Sequence, residues 1–310
     1  MSVKKVLVTS AGTGSAYATA EAISLYFNDQ IDLYLTDIND KHLISSSGFK
    51  SNFIKSPKIT DSTYIDFIKE LLDLNLFDII IPFIDQDVKL FAQLSTDYNF
   101  ITPLEIIKSA LICFDKYETY KWLNASQIKT PDTYLLCNFE SSFVDYIIKP
   151  RNGFGSLIME YNLENFNKVK TKSNEFICQQ RLKNPEITID VFYSKGVFEY
   201  VCRERIETKS GVCTKARFFK DKKLESVARK ISVGLNLKYF CFQVMENDND
   251  WLVTDINPRL GSGTPMSKAV GLDFFAAMVS DLLGYNVDKF FQYIDGDRFV
   301  TRQYLNILSK

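Results

Sequence analysis

Short apolar runs alternate with stretches of helical spacing in the N-terminal third of the chain. Residues 3–9 and 31–37 are two such runs, and residues 78–82 are another, reached after a helical stretch at residues 64–74. Strands separated by helices usually pair in parallel, and the helices then cover both faces of the sheet. The alternation therefore predicts a parallel α/β lobe, which we place at residues 1–104.

The pattern changes beyond this lobe. A helical stretch at residues 104–124, which contains Lys116, is followed by short strands around a glycine-containing segment, residues 150–156. Longer strands, with helices between and after them, fill most of the remaining chain. Consecutive strands joined by short turns predict antiparallel hairpins, so the expected fold class is α/β followed by α+β. We place one subdomain at residues 105–180 and another at residues 181–310.

Charge, cysteine and histidine content exclude several classes of protein. The 37 basic and 38 acidic side chains give a formal net charge of −1, so no general basic surface attracts nucleic acid or an anionic membrane. No apolar run approaches the roughly 20 residues of a membrane span, and polar residues interrupt the first apolar run too early for a secretory signal. The six cysteines form no Cys-x-x-Cys pair, and the single histidine, His42, argues against histidine-based triads and metal sites. We therefore expect a cytoplasmic protein without nucleic-acid or membrane partners.

A polar strand end near the C-terminus carries the strongest chemical signal. Val253, Asp255 and Asn257 share one strand face by the two-residue period of a strand. Gln243 lies on the preceding strand, and the polar turn at residues 247–250 predicts a hairpin that places Gln243 opposite Asp255. Carboxylate and amide oxygens on one face suit Mg²⁺, with Mn²⁺ as the alternative ion. The competing interpretation is the polar edge of a solvated hairpin, and the pattern alone does not separate the two.

Two cationic residues stand at strand ends where they could meet phosphate. Arg259 follows Pro258, which ends its strand, and the guanidinium fork could grip a phosphoryl group or a developing oxyanion. Lys149 precedes the glycine-containing segment and could neutralise nucleotide phosphates while that segment closes over them. No Gly-Lys-Ser/Thr follows, so this is not a Walker-type loop. A hairpin turn with a solvated lysine is the alternative.

The first lobe carries a weaker signal. Gly12 and Gly14 lie between a strand and a helix, and Asp37 ends the next strand, as in dinucleotide-binding folds. However, Tyr17 occupies the third position of the glycine motif, where close packing of helix on strand favours a small residue. We therefore interpret the glycines as a tight turn, and an NAD(P)-dependent oxidoreductase is the less favoured function.

In their order along the chain, these segments resemble the ATP-grasp superfamily. The branch in question is similar to the carbamoyl-phosphate synthase large subunit and the carboxylate–amine ligases. The resemblance covers nearly the whole chain, residues 81–87 included, and is most specific at residues 255–259. It implies an ATP-grasp fold preceded by a Rossmann-like N-terminal domain. Residues 105–180 would be the small lid subdomain and residues 181–310 the C-terminal subdomain with the metal site.

The resemblance also implies roles for individual residues. The ATP-binding set comprises the phosphate lysines Lys116 and Lys149, the loop residues Gly153, Gly155 and Ser156, the adenine-hinge residues Gln179, Gln180 and Leu182, and the ribose-binding acid Glu186. The metal set is Gln243, Asp255 and Asn257. The chain departs from the family pattern at Gln179, where an acid is usual, at Asp255, where glutamate is commoner, and after Ser156, where glycine is expected.

By the same resemblance the protein is an ATP- and Mg²⁺-dependent ligase. A substrate carboxylate would attack the γ-phosphate of ATP to give an acyl phosphate, and an amine would then displace phosphate to form an amide or peptide bond. The expected catalytic residues are Arg259, Lys149 and Lys215. The expected substrate-binding residues are Arg203, Arg205, Gly261 and Ser262.

Each of these substrate assignments has an alternative. Arg203 and Arg205, together with Lys215, could form a solvated strand face paired with Glu204 and Glu207. The segment at residues 261–264 could be a simple loop. Two further functions use the same nucleotide site: a kinase-like phosphotransferase that leaves the phosphate on its product, and a non-catalytic ATP-binding module. The expected partners are a small-molecule carboxylate and an amine, with a homodimer as one expected assembly.

Overall fold

The N-terminal part of the computed structural model is a parallel sheet covered by helices. The structure describes residues 2–74, 77–104, 106–139, 145–153, 158–209, 211–303 and 306–307. The first elements are β1 (Lys4–Val8), α1 (Gly14–Tyr26), β2 (Ile31–Asp37), β3 (Asn52–Lys55), α2 (Tyr64–Leu74), β4 (Ile79–Ile81) and α3 (Asp85–Leu94). The four strands pair in parallel in the order β3-β2-β1-β4. This confirms the predicted parallel α/β lobe.

Both faces of this sheet are buried, as a parallel sheet requires. Val6 and Val8 of β1 pack on the side of α1, whereas Leu7 packs with Ile68 of α2 and Ile80 of β4. Because the strands are parallel, their carboxyl ends lie at one edge of the sheet, where the loops into α1 and α3 begin.

The middle of the chain forms a small antiparallel sheet with flanking helices. Its elements are α4 (Ile107–Cys113), α5 (Lys116–Ala125), β5 (Thr133–Leu135), β6 (Tyr146–Pro150), β7 (Met159–Glu160), α6 (Leu163–Val169) and β8 (Phe176–Gln180), with the strand order β5-β8-β6-β7. The helix predicted at residues 104–124 is in fact two helices. The first ends at Cys113. Asp115 caps the second, because its side chain accepts hydrogen bonds from the backbone of Tyr117 and Glu118. Lys116 therefore begins a helix instead of lying inside one.

The last part of the chain forms the largest sheet. Its elements are β9 (Glu186–Ser194), β10 (Val197–Lys209), β11 (Val212–Phe219), α7 (Lys222–Leu235), β12 (Tyr239–Asn247), β13 (Asp250–Asn257), α8 (Phe274–Leu282) and β14 (Arg298–Thr301). The strands pair antiparallel in the order β13-β12-β9-β10-β11-β14. A parallel lobe followed by antiparallel sheets confirms the predicted fold class.

Side chains from the N-terminal lobe pack with both faces of the large sheet. On one face, α8 lies between the strands and α1 in a single apolar cluster. On the other face, α7 and α4 pack together with Val88 and Ala92 of α3. The edge at which the N-terminal lobe meets the large sheet therefore lies between two apolar clusters. No helix in the described part of the chain combines the length and apolar character needed to cross a bilayer.

Candidate functional site

The candidate metal ligands lie together on one face of the large sheet. Gln243 of β12 pairs with Asp255 of β13, as the hairpin pattern predicts, and Cys241 pairs with Asn257. The Nδ2 atom of Asn257 donates to Oδ2 of Asp255 at 3.2 Å. One carboxylate and two amide side chains are oxygen donors of the kind that Mg²⁺ takes when it shares its shell with phosphates. The described residues contain no cluster of three or more His, Cys, Asp or Glu side chains for a different metal.

Val253 does not share this face, contrary to the sequence prediction. A register shift between Gln243 and Val244 makes Val253 the partner of Val244 and places it in the apolar core with Ile256. The shift inserts an extra residue into β13, and the two-residue alternation is reset at that point. Asp255 and Asn257 stay on the polar face because they follow the shift.

Lys149 is a buried cation of strand β6. The residue is 8% exposed, and among the described residues it makes no hydrogen bond or ion pair. Burial lowers the pKa of Lys149 to about 8, although Asp255 and Glu186 raise it, and Lys116 lowers it further. Strand β6 therefore places an ammonium group near Asp255 and Glu186, and no carboxylate of the described residues lies within ion-pair distance of it.

Lys116 is tied to the strand that carries Lys149. Its backbone N donates to the carbonyl of Arg151 at 2.9 Å, and its Nζ donates to the carbonyl of Gly153 at 2.8 Å. Asp115 completes the clamp by accepting from Nε of Arg151 at 2.8 Å. Gly153 has a φ of +88°, a conformation that glycine adopts at little cost. Gly155 and Ser156, also assigned to nucleotide binding, lie outside the described residues.

The hinge residues are largely engaged within the protein. The buried side chain of Gln179 donates to Oγ1 of Thr133 at 2.8 Å, and the backbone N of Gln180 donates to the carbonyl of Asp132. Leu182 follows β8 in the connection to β9. Glu186 is the first residue of β9 and forms an ion pair with Arg205. This bond uses one of the two N–H donors of the Gln179 amide and none of the acceptor capacity of its Oε1.

Arg203 is enclosed instead of facing an open cleft. Its side chain is 3% exposed and is hydrogen-bonded to the fully buried carboxylate of Asp190 through both Nε (3.2 Å) and Nη2 (3.4 Å). A Cβ built on Gly263 would lie 2.2 Å from Nη1 of Arg203. The arginine therefore supports the loop at residues 261–263, and the predicted contact with substrate is not what this geometry offers.

The predicted catalytic residue Lys215 and the predicted substrate residues Gly261 and Ser262 also have partners within the protein. Lys215 is half exposed and pairs with Glu207 at 3.0 Å, which matches the solvated strand face given as the alternative. The backbone N of Gly261 donates to Oγ1 of Thr264 at 2.9 Å, so this group is not free for an oxyanion. The carbonyl of Ser262 accepts from Arg302 at 3.0 Å.

Asp85 is a residue of this site that the sequence analysis did not assign. It begins α3 in the N-terminal lobe and accepts a hydrogen bond from Nε of Arg259 at 2.7 Å. Burial raises the pKa of Asp85, Asp255 raises it further, and Arg259 and Lys116 lower it. Asp85, Lys116, Arg259 and Asp255 are thus electrostatic neighbours. The sequence feature that could have identified Asp85 is an acidic residue at the carboxyl end of a parallel strand, within residues 81–87.

Gly12 and Asp37 of the N-terminal lobe line a cavity of about 440 Å³. There Asp37 is bound by its own loops, since it accepts from the backbone N of Gly12 at 2.7 Å and from Asn39 at 2.9 Å. Tyr17 packs against Phe49, with ring centroids 5.3 Å apart. These contacts suit the tight turn that we favoured over a dinucleotide motif.

Comparisons with known proteins give a domain family and a fold for this chain. Residues 113–263 match the family model of the ATP-grasp domain. The sequence matches no curated protein.

Three solved structures illustrate the fold similarity. N5-carboxyaminoimidazole synthetase from Staphylococcus aureus has 14% identity and a TM-score of 0.72, over 93% of this chain and 81% of that chain. L-amino acid ligase from Bacillus licheniformis has 13% identity and a TM-score of 0.74, over 94% and 77%. The biotin carboxylase domain dimer of Hydrogenobacter thermophilus 2-oxoglutarate carboxylase, in complex with MgADP, ADP and bicarbonate, has 13% identity and a TM-score of 0.76, over 97% and 75%. At these identities the likeness is one of fold.

Proposed function

This chain belongs to the ATP-grasp superfamily, its residues 113–263 being the ATP-grasp domain, and from this premise we propose that it is an ATP- and Mg²⁺-dependent carboxylate–amine ligase. It activates a carboxylate as an acyl phosphate, and an amine then displaces the phosphate to form an amide or peptide bond. Lys149 carries the proposal, because it is buried and no residue in the described part of the chain pairs with it. An ammonium group that is removed from water without a counter-ion is costly, so its retention indicates an anionic ligand at this position.

The neighbouring residues fit a polyphosphate better than any other anion. Lys149, Lys116 and Arg259 bring positive charge to one edge between the lobes. Asp255 and Asn257, with Gln243, would hold Mg²⁺, which when bound supplies charge neutralisation to the phosphates. An anion without a metal would be repelled by Asp255, whereas a nucleotide that brings Mg²⁺ is complementary to both signs of charge.

In the proposed reaction the protein contributes position and charge. Lys149 and Lys116 bind and neutralise the phosphate oxygens, and Arg259 stabilises the phosphoryl group as charge develops on it. The lobes hold the carboxylate close to the γ-phosphate and exclude water, which would otherwise hydrolyse an acyl phosphate. Of the predicted catalytic residues, Lys215 is engaged with Glu207, so Lys149 and Arg259 are the stronger candidates.

The finer assignments belong to the same proposal. The domain bounds are residues 1–104, 105–180 and 181–310, and Mn²⁺ is an alternative to Mg²⁺.

The proposed substrates are an amine and either a small carboxylate or bicarbonate. Bicarbonate is present in one similar structure. A cytoplasmic location is supported by six free cysteines, five of them buried. A homodimer is one proposed assembly, to be checked by analytical ultracentrifugation.

ADP release with Mg²⁺ across a panel of carboxylic acids and amines tests the proposal. We expect an ADP-releasing pair, and we expect Lys149→Met and Asp255→Ala to lower its turnover by about 10²-fold or more, because each removes a charge from the phosphate site. Lys170→Met, an exposed lysine on the same subdomain, is the matched control and should leave turnover unchanged.

The product separates the alternatives. Trapping with hydroxylamine converts an acyl phosphate to a hydroxamate, which is the expected result. A stable phosphorylated product would instead indicate a kinase-like phosphotransferase, and nucleotide binding without turnover would indicate a binding module. Turnover within about twofold of wild type in both variants would mean that the assigned site is wrong.

A further inference from the structure

The contact between Asp85 and Arg259 links two parts of the chain that are distant in sequence. Asp85 begins α3 of the N-terminal lobe, and Arg259 follows β13 of the large sheet, 174 residues later. The two side chains are only 14% and 17% exposed. An ion pair this sheltered holds its geometry better than a surface pair, since water screens it less.

The pair uses one side of the guanidinium only. Oδ1 of Asp85 accepts from Nε of Arg259 at 2.7 Å. Within the described part of the chain, the two terminal nitrogens of Arg259 donate no hydrogen bond. The planar fork formed by these nitrogens is the edge with which arginine binds phosphate in a bidentate manner.

We propose that Asp85 is a positioning residue, which holds Arg259 through Nε so that the terminal nitrogens meet the γ-phosphate of ATP. The inference rests on the proposed function, since it assumes that a nucleoside triphosphate occupies the site. A free arginine side chain loses rotamer freedom when it binds an anion. Asp85 already restricts the rotamers of Arg259 before the nucleotide binds, so most of this freedom is lost in advance.

Charge balance explains why an acid at this place does not repel the nucleotide. The carboxylate is neutralised by Arg259 and lies near Lys116. Without Asp85, Arg259 would keep its charge but not its orientation. Removal of Asp85 should therefore weaken the binding of a ligand that reaches Arg259 and leave unchanged the binding of one that does not. ATP has the terminal phosphate and ADP lacks it, so the two nucleotides form the required pair of probes.

Isothermal titration of the whole chain with the Mg²⁺ complexes of a non-hydrolysable ATP analogue and of ADP tests the proposal. Asp85→Ala should weaken the analogue by about 3- to 10-fold, the range expected for loss of one pre-ordered long side chain, and ADP by less than about twofold. Asp85→Asn keeps an oxygen acceptor for Nε and should restore affinity for the analogue to within about twofold. Asp97→Ala, an exposed acid just after α3, is the matched control.

A double-mutant cycle identifies the route of the effect. In an Arg259→Ala background, Asp85→Ala should cause no further loss of affinity for the analogue, because Asp85 acts through Arg259. Additive losses, equal losses for both nucleotides, or failure of Asp85→Asn to restore affinity would overturn the inference. If the wild-type protein binds neither nucleotide, the proposed function fails first and the inference fails with it.

Discussion

Arg203 and Lys149 are two buried cations in the same chain, and their surroundings are opposite. Arg203 is 3% exposed and is hydrogen-bonded to Asp190 through two of its nitrogens. Lys149 is 8% exposed, and among the described residues it has no hydrogen bond or ion pair. Both are basic residues on strands, and the sequence analysis assigned both to the reaction.

Pairing, and not burial alone, is the observation by which we separate a structural charge, Arg203, from a proposed functional one, Lys149. Burying a charge is costly, and a carboxylate with good geometry offsets most of that cost. Arg203 has such a partner and holds the loop beside it. Lys149 has no such partner among the described residues, which is why we propose an anionic ligand there. Arg259 lies between these cases, since Asp85 binds its Nε and no described residue accepts a hydrogen bond from its terminal nitrogens.

The largest expected effect separates the two cations by stability. Asp190→Ala leaves Arg203 buried and uncompensated, and we expect the free energy of unfolding to fall by about 3–5 kcal/mol. Urea denaturation of the ligand-free protein measures it. Lys55→Met, which removes an exposed ion pair with Asp40, should change stability by less than about 1 kcal/mol. Equal changes for the two variants would contradict the structural role of Arg203.

A smaller effect tests the packing of the loop on Arg203. An added methyl group at Gly263 would lie 2.2 Å from Nη1 of Arg203, and this guanidinium is held by Asp190. Gly263→Ala should therefore lower the free energy of unfolding by about 1–3 kcal/mol. Gly14→Ala is the matched control, because nothing lies within 4 Å of a Cβ at that position. If Gly263→Ala is as stable as wild type, Arg203 is mobile and the comparison with Lys149 weakens.

The smallest effect is a dependence of stability on pH that comes from Lys149. Burial lowers its pKa in the folded protein to about 8, whereas the ordinary value is 10.5. Between these values the unfolded chain binds more protons, so the free energy of unfolding rises with pH. We expect wild type to gain about 1 kcal/mol relative to Lys149→Met between about pH 7.5 and 9. Urea denaturation at each pH measures the free energy of unfolding of both proteins. If this free energy changes with pH in the same way for wild type and Lys149→Met, Lys149 is not buried as a free cation.

Much of the fold followed from local spacing. The strand–helix alternation predicted the parallel lobe, and the polar turn at residues 247–250 predicted the hairpin that pairs Gln243 with Asp255. Short-range signals sufficed there because pairing across a tight turn depends on neighbouring residues. The same signals failed for the helix broken at Asp115 and for Val253, where a cap and a register shift reset the periodicity.

By itself, the sequence determined the order of the elements and the chemical types present at the strand ends, including Lys149, Asp255 and Arg259. Only the tertiary structure decided which charges were already neutralised. It paired Arg203 with Asp190, buried Lys149 with no ion pair to any described residue, and brought Asp85 to Arg259 from 174 residues away. The physical reason is that burial and ion pairing depend on contacts between distant segments, and the spacing of residues along one strand does not contain that information.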